Sequence, residues 1–500
     1  MPGLPGGRVS ELARDEHWQR LDPRMLLVHP IRELVRFLPV LIGVVVAGTA
    51  TGGGDGPWRL IGVGIPVGLG LLRYLTTSFR ITQGRIELKR GLLNRHVLST
   101  SLDRVRTVDL TSSPIHRILG LTTVRVGTGT SSTDEEDRLD LDGLPVERAR
   151  RLREELLRVA PAGEDGRPAT RPRERVVVRF TPGWLRFAPF TSSGLVIAAA
   201  AIGAASQVVN TFGGWERIDV SGVVDGTSGL PLWAAAPLGI VGLLVVVSLC
   251  SVGGYLVTNW GFTLSHAGGS WHLRRGLLTT RETSLDDERV SGVSVCEPLG
   301  LRAVGGGRLA AIVTGLDRKQ QGSSVLVPPA PRDVVTAVAR QVLGVDSPVD
   351  APLVGHGHRA RTRRYSRALL PATALVAAVG VLVGTAGAPW WLLLAAMVAP
   401  VLAVPLAADR AAGLGHTLVD GYVVSRYGSL NRHRRALATG DVIGWNFRST
   451  WFQRRAGLTS LVATTAGGDQ FVRVLDIPED AAVALAERAL PDLVAQFVRR

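Results

Sequence analysis

Apolar positions along the chain fall into six long blocks, separated by stretches in which they alternate or recur at helical spacing. The blocks run from about Phe37 to Thr51, Trp58 to Leu75, Phe187 to Phe212, Leu230 to Leu256, Ala368 to Ala386 and Trp390 to Ala408. A bilayer core of ~30 Å needs roughly 20 helical residues. Backbone groups in hydrocarbon must also be satisfied internally, so each block reads as a transmembrane helix. The connections Gly52–Pro57, Gly213–Gly229 and Gly387–Pro389 are short and contain glycine, which predicts three antiparallel helical hairpins. A buried soluble helical pair is the other reading of the first two blocks. A secretory signal fits the first block poorly, because its apolar run starts late and a second block follows at once.

Between the hairpins the pattern changes to period two, as in Arg85-Ile-Glu-Leu-Lys89, and it repeats three times. Ser78–Leu93, Gly261–Leu278 and Leu418–Leu430 each read as strand, glycine turn, strand, glycine turn. In the first copy, further strands are expected over Val97–Leu102, Val105–Leu110 and Thr122–Val126. Between the last two lies Ser113–Leu121, with counterparts Glu297–Leu301 and Phe452–Leu458. Gly91 to Gly120 and Gly428 to Gly457 span 29 residues, and Gly276 to Gly300 spans 24, which suggests a deletion in the second copy. Each copy then closes with Pro plus an acid: Pro145-Val-Glu147, Pro331-Arg-Asp333 and Pro478-Glu-Asp480. Proline at the first helical position followed by early acids predicts a helix start. Leu152, Leu156 and Leu157, and Val334, Val338 and Val342, form the stripe expected to pack on the strands.

Charge orients this arrangement. The chain carries a net charge of +15, almost all of it arginine, the lysines being Lys89 and Lys319. The hairpin loops are nearly free of arginine, whereas Arg32 and Arg36, Arg167–Arg186 and Arg359–Arg367 crowd the opposite flanks. The positive-inside rule therefore places both termini and all large segments in the cytoplasm of a multi-pass plasma-membrane protein. Trp58, Trp184, Trp215, Trp233, Trp390 and Trp391 lie near block ends, as interfacial aromatics do. The organisation is then an N-terminal segment (1–36), hairpin (37–75), β-rich domain (76–160), basic linker (161–186), hairpin (187–256), domain (257–345), basic linker (346–367), hairpin (368–408) and domain (409–500).

Arg90-Gly-Leu-Leu93 with Leu119-Gly-Leu121, and Arg275-Gly-Leu-Leu278 with Leu299-Gly-Leu301, resemble the bacterial pleckstrin-homology-like domain. The third copy departs from it, with Arg426-Tyr-Gly-Ser-Leu430 and Arg455-Ala-Gly-Leu458. A membrane hairpin plus such a domain, iterated, is similar to the YdbS/YdbT-like PH-domain membrane proteins. The resemblance implies a membrane α plus β fold: six transmembrane helices in three hairpins, each followed by a PH-like β half-barrel capped by a C-terminal helix. It implies no enzyme activity, and it associates relatives with envelope stress and tolerance of membrane-active peptides.

No catalytic constellation stands above background. Gly305-Gly-Gly307 lacks the Lys-Ser/Thr of a phosphate loop and reads as a tight turn. Asp134–Asp137 reads as a solvated hairpin tip, with a cation site as the alternative, and Asp286–Glu288 reads as a strand turn. Cys250 and Cys296 form no disulfide framework, and no metal ligand spacing occurs among the ten His, so no cofactor or metal is expected. Gln207 and Asn210 are the main polar groups inside the spans, and interhelical hydrogen bonding accounts for them. Two basic runs carry the candidate contacts to anionic headgroups or a protein partner: Arg359, Arg361, Arg363 and Arg364, and Arg432, Arg434 and Arg435. Each charge near an anionic surface gains ~1 kcal/mol; determination of topology, or a solvated loop, is the competing reading. Without interleaved aromatics these runs do not suit nucleic acid. The expected partners are the bilayer and a protein partner or a further copy of the chain. The expected function is a non-enzymatic scaffold, with a transporter component and a lipid-modifying enzyme as alternatives.

Overall fold

The computed structural model describes residues 18–28, 30–31, 64, 68, 71–72, 74–82, 85–90, 96–101, 107–127, 139–158, 174–191, 196, 199–200, 203, 206, 232–313, 324–465 and 471–491. The first two apolar blocks, most of the third, Gln207, Asn210, Asp134–Asp137, and Gly91–Leu93 of the first glycine turn therefore lie outside the described residues, or almost so. Among the described residues, three helices are long and apolar enough to cross a membrane: Pro237–Asn259, Gly357–Ala386 and Trp391–Ala412. They coincide with the fourth, fifth and sixth blocks. Phe187, expected to open the third span, is instead buried in a 3-10 segment, Pro182–Phe190. Pro189, inside the segment, lacks the amide donor that an α-helix would use there.

The helix Gly357–Ala386 is longer than its apolar block because the arginine run continues it upstream. Thirty residues at 1.5 Å span about 45 Å, against a hydrocarbon core of ~30 Å, so its first turns project beyond the lipid. It packs on Trp391–Ala412 through Ala368, Ala372, Ala403 and Ala407, small residues four apart on each helix. Such positions let two backbones approach closely.

The period-two segments form strands, and their buried positions follow the alternation: Ile86 and Leu88 are fully buried between half-exposed Glu87 and Lys89. The first repeat contains β1 (Gln19–Arg20), β2 (Ser78–Thr82), β3 (Arg85–Arg90), β4 (His96–Ser101), β5 (Thr107–Ser112), a short helix Pro114–Ile118, β6 (Leu121–Gly127), β7 (Leu139–Pro145) and a helix Val146–Arg158. The second contains β8 (Arg175–Arg179), β9 (Thr263–Ala267), β10 (Ser270–Arg275), β11 (Thr280–Asp286), β12 (Val290–Pro298), a short helix Leu299–Ala303, β13 (Gly306–Val313), β14 (Val325–Pro331) and a helix Arg332–Leu343. The third contains β15 (Gly415–Val419), β16 (Tyr422–Tyr427), β17 (Asn431–Ala438), β18 (Gly444–Arg448), a short helix Trp451–Arg455, β19 (Leu458–Thr464), β20 (Phe471–Pro478) and a helix Glu479–Ala489.

The three copies have the same spacing. After each short helix comes one left-handed glycine, Gly120, Gly305 or Gly457. Its carbonyl accepts from the first residue of the closing helix in every copy: Val146, Arg332 and Glu479, at 3.2, 3.0 and 3.3 Å. Gly305, not Gly300, is thus the counterpart of Gly120 and Gly457. The interval from Gly276 to Gly305 is 29 residues, as in the other copies, and no deletion exists. Pro331 and Pro478 sit at the N-cap rather than inside the helix. The buried stripe of the second closing helix is Val335, Val338, Ala339 and Leu343. Val334 and Val342, expected in that stripe, are half-buried beside it.

Contacts divide the chain into two compact units, Met1–Asp286 and Asp287–Arg500. The first holds a sheet ordered β1-β2-β3-β4 and another ordered β7-β6-β5-β11-β10-β9-β8. The second holds β14-β13-β12-β17-β16-β15 and β18-β19-β20. A half-barrel closed within each repeat is what the resemblance implies; the ladders instead run from one repeat into the next. Strand β11 of the second repeat pairs with β5 of the first, and β17 of the third pairs with β12 of the second. Each partner satisfies an edge that would otherwise leave backbone groups unpaired. Two core clusters stay within a repeat, whereas Ile312 of β13 packs with Leu437, Val442, Ala463 and Val472 of the third. Phe79, Ile86 and Leu88 share one cluster with Leu121, Val124, Leu141 and Leu152 of the same copy. In the third, Leu418 packs with Leu461, Val474, Ile477 and Leu485.

The segments upstream of the hairpins also bond to the sheets. β1 pairs with β2, β8 pairs with β9, and Val354 bridges His416 at the start of β15. The residues just upstream of each hairpin segment thus lie against the strand just downstream of it.

Candidate functional site

The run Gly357–Arg367 leaves the apolar part of its helix over the last strand of the third repeat. Asp476 waits there, in a left-handed conformation with φ 54° that Asp adopts more readily than most residues. Its side chain is 2% exposed. Arg363 Nη1 donates to Asp476 Oδ1, and Arg364 Nη2 lies 2.6 Å from Oδ2. Gln453 Nε2 also donates to Oδ1, at 2.7 Å. Gln453 is fixed in turn by a capping box with Thr450, whose hydroxyl also accepts from Arg363 Nη2 at 3.3 Å. One buried carboxylate therefore holds two helix arginines against the β module.

A second carboxylate does the same for the returning helix. Asp409 on Trp391–Ala412 is met by Arg302 Nη2 at 3.0 Å from both oxygens, and by Arg432 Nη2 at 2.7 Å from Oδ1. The last carbonyls of that helix region, Ala412 and Gly413, accept from Arg426 at 3.0 and 3.3 Å. A cation there also suits the negative end of the helix dipole.

Next to the first anchor, His356 and His416 are both buried. His356 Nδ1 is 2.8 Å from the Leu475 carbonyl, and His416 Nδ1 is 3.0 Å from His356 Nε2. A carbonyl only accepts, so His356 carries its hydrogen on Nδ1 and accepts on Nε2. His416 must then donate from Nδ1, and a neutral pair satisfies both contacts. Burial pushes the His356 imidazole down from its ordinary value, and pushes His416 down to about 4, with His356 adding to the latter effect. His433, stacked on Tyr427 at 5.6 Å, is also lowered by burial to about 4.

The seven arginines singled out in the sequence thus have different surroundings. Arg363, Arg364 and Arg432 are engaged by carboxylates. Arg434 donates to the Pro348 carbonyl at 3.1 and 3.2 Å and to Ala351 at 2.8 Å. Arg435 donates to Phe471 at 2.7 Å and lies over the Tyr427 ring. Arg359 and Arg361 are exposed, Arg359 beside Gly457 and Arg361 over Tyr365. Sequence reasoning missed Asp476, Gln453, Arg302, Arg426 and the histidine pair. The signal for Asp476 was a lone acid two residues before the helix-starting Pro478.

The first repeat fills the same place without the ion pair. Gly143, two residues before Pro145, takes φ 73° against Met25 of the pre-hairpin segment. His116 stands where Gln453 does, and its Nε2 lies 3.4 Å from Asp142. The second repeat has Leu301 and Pro329 at these positions, so its centre is apolar.

Neither the curated proteins nor the solved structures gave a match to the chain. The family model for the bacterial PH domain matches residues 33–160 and 369–491. The matches take in the first and third repeats with the apolar segments before them, and leave the second repeat outside. Together they cover half of the sequence, and the chain belongs to the bacterial PH domain family.

Proposed function

We propose that the chain is a non-enzymatic scaffold of the plasma membrane, with six spans, three PH-like modules and both termini on the cytoplasmic face. Three apolar helices and PH domains fit a membrane protein that carries PH domains. The observation that supports a scaffold is the pair of anchors at Asp476 and Asp409. They hold the third module directly on the ends of its two helices, without a free tether between lipid and module. A module so fixed presents its remaining surface to a protein partner at a set orientation. Of the seven arginines, Arg359 and Arg361 are left to meet anionic headgroups at the base. A role in envelope stress, or in tolerance of membrane-active peptides, follows from the family resemblance and belongs to the same proposal.

Reporter fusions test the arrangement. Fusions at residues 54, 222 and 388 are expected outside the cytoplasm, and fusions at 130, 310 and 465 within it. The reverse pattern removes the scaffold reading. Purification from membranes with identification of co-purifying chains then tests the partner.

A further inference from the structure

The two joints between repeats obey one register. At the first, Arg281, Glu282 and Leu285 of β11 stand opposite Thr111, Leu110 and Thr107 of β5. At the second, His433, Arg434 and Leu437 of β17 stand opposite Cys296, Val295 and Gly292 of β12. Counted from the turn glycines Gly276 and Gly428, and from Gly120 and Gly305, these are the same positions. The third strand after each hairpin segment therefore joins the fourth strand of the preceding repeat, residue for residue. The first and third repeats each keep one half of this joint unused. Among the described residues, β4 ends its sheet and has only β3 as neighbour, and β18 ends its sheet and has only β19. By contrast β7, β14 and β20 end their sheets in every repeat alike, so they show no such difference.

Protection at the two free edges amounts to one charge, Arg448. Exposed edge strands are commonly blunted by charge, proline or a bulge. β4 reads His-Val-Leu-Ser-Thr-Ser and β18 reads Gly-Trp-Asn-Phe-Arg, without proline and with Arg448 as their one permanent charge. Both ladders to the inner neighbours are regular, without register shifts. Each edge also exposes a large apolar side chain, Val97 at 54% and Phe447 at 43%. Gly444 repeats Gly292, where a Cβ would overlap the Ala436 carbonyl across the second joint.

We propose that β4 of one copy of this chain pairs antiparallel with β18 of a second copy, continuing the internal joint between molecules. Transferring the register sets His96 opposite Arg448, Val97 opposite Phe447, Leu98 opposite Asn446, Ser99 opposite Trp445 and Thr100 opposite Gly444. The two exposed apolar side chains then face each other on one side of the ladder. The contact is head-to-tail, so one copy keeps a free β18 and the other a free β4 until the assembly closes into a ring or extends as a chain. It goes beyond the scaffold reading and does not depend on it.

The test uses the full chain in membranes, with Cys250→Ala and Cys296→Ala. Two differently tagged versions are co-expressed, one with Val97→Cys and the other with Phe447→Cys, and oxidised mildly. Directly opposed residues have Cβ atoms roughly 4.5–5.5 Å apart, within reach of a disulfide. A mixed disulfide between the two tags is expected, with far less when Asn446→Cys replaces Phe447→Cys, since the neighbouring residue faces the other side. A Val97→Cys homodimer formed as readily as the mixed species would overturn the pairing. So would a chain carrying both cysteines that cross-links only within itself. Two tagged versions with native sequence are also expected to co-purify in mild detergent, several-fold less with Phe447→Lys; failure to co-purify refutes the proposal without any cysteine variant.

Discussion

Replacing Asp476 by Asn isolates the charge of the buried anchor. Asn keeps the shape of the side chain, tolerates the left-handed backbone, and can still accept from Gln453. What it removes is the negative charge between Arg363 and Arg364, whose side chains are 11% and 15% exposed. Breaking a buried pair by removing one partner costs about 3–5 kcal/mol, because the remaining charge stays desolvated. Here two cations share one carboxylate, so the lower end, about 3 kcal/mol, is the conservative expectation. At about 1.4 kcal/mol per tenfold, that is roughly a hundredfold in the local opening equilibrium. Hydrogen exchange of the β20 amides from Phe471 to Ile477 in detergent-solubilised protein reads this opening directly. The loss should be largely restored when Asp476→Asn is combined with Arg363→Met and Arg364→Met, since removing all partners also removes the stranded charge. Less than a tenfold rise in exchange for the single substitution would refute the anchor, as would failure of the triple variant to recover.

The histidines predict a pH dependence. An unfolded imidazole titrates near 6.5 and those of His416 and His433 near 4, so the unfolded state binds protons first as pH falls. Their contribution is complete above about pH 6.5 and declines towards pH 4, by about 2 kcal/mol per imidazole at pH 5; protection from exchange in the third repeat, taken relative to the intrinsic rate at each pH, that stays flat from pH 7.5 to 5 would contradict neutral imidazoles. Gly276→Ala and Gly428→Ala should each destabilise their turn by more than about 1 kcal/mol. Both glycines have φ near 100°, and a Cβ would overlap the carbonyl of Thr279 or Asn431; unchanged thermal unfolding would count against these turns. Gly292→Ala should raise exchange in β12 and β17 while leaving β5 and β11 protected, because its Cβ would meet the backbone of Ala436 only at the second joint.

The parts legible in the sequence are those set by local pattern. Apolar runs marked the helices Leu232–Asn259 and Trp391–Ala412, and alternation marked Ile86 and Leu88 as core. The glycine turns and closing helices recur at spacings a reader can count. Even so, Leu299-Gly-Leu301 drew the eye to Gly300, when the backbone needed Gly305 for its left-handed turn. What stayed hidden is pairing at a distance. Nothing near Arg363 in the chain announces Asp476, which lies 113 positions away. A run of arginines looks the same whether its charges meet lipid, carboxylate or carbonyl. Strand partners are likewise chosen by edges that become free only once each repeat has folded. The half-barrel expectation kept strands of one copy together, although β11 and β5 match as well as any pair within a repeat.

Val354 and His416 exchange both backbone hydrogen bonds, at 2.8 and 3.1 Å, on either side of the third helical hairpin. Antiparallel partners of this kind sit about 5.5 Å apart at their Cα atoms. To the third module, the whole greasy excursion is therefore an oversized insert at the mouth of a β-turn. Excising it and bridging the short gap with a two-residue turn also removes Arg363 and Arg364, so the shortened chain should need Asp476→Asn to keep the module folded.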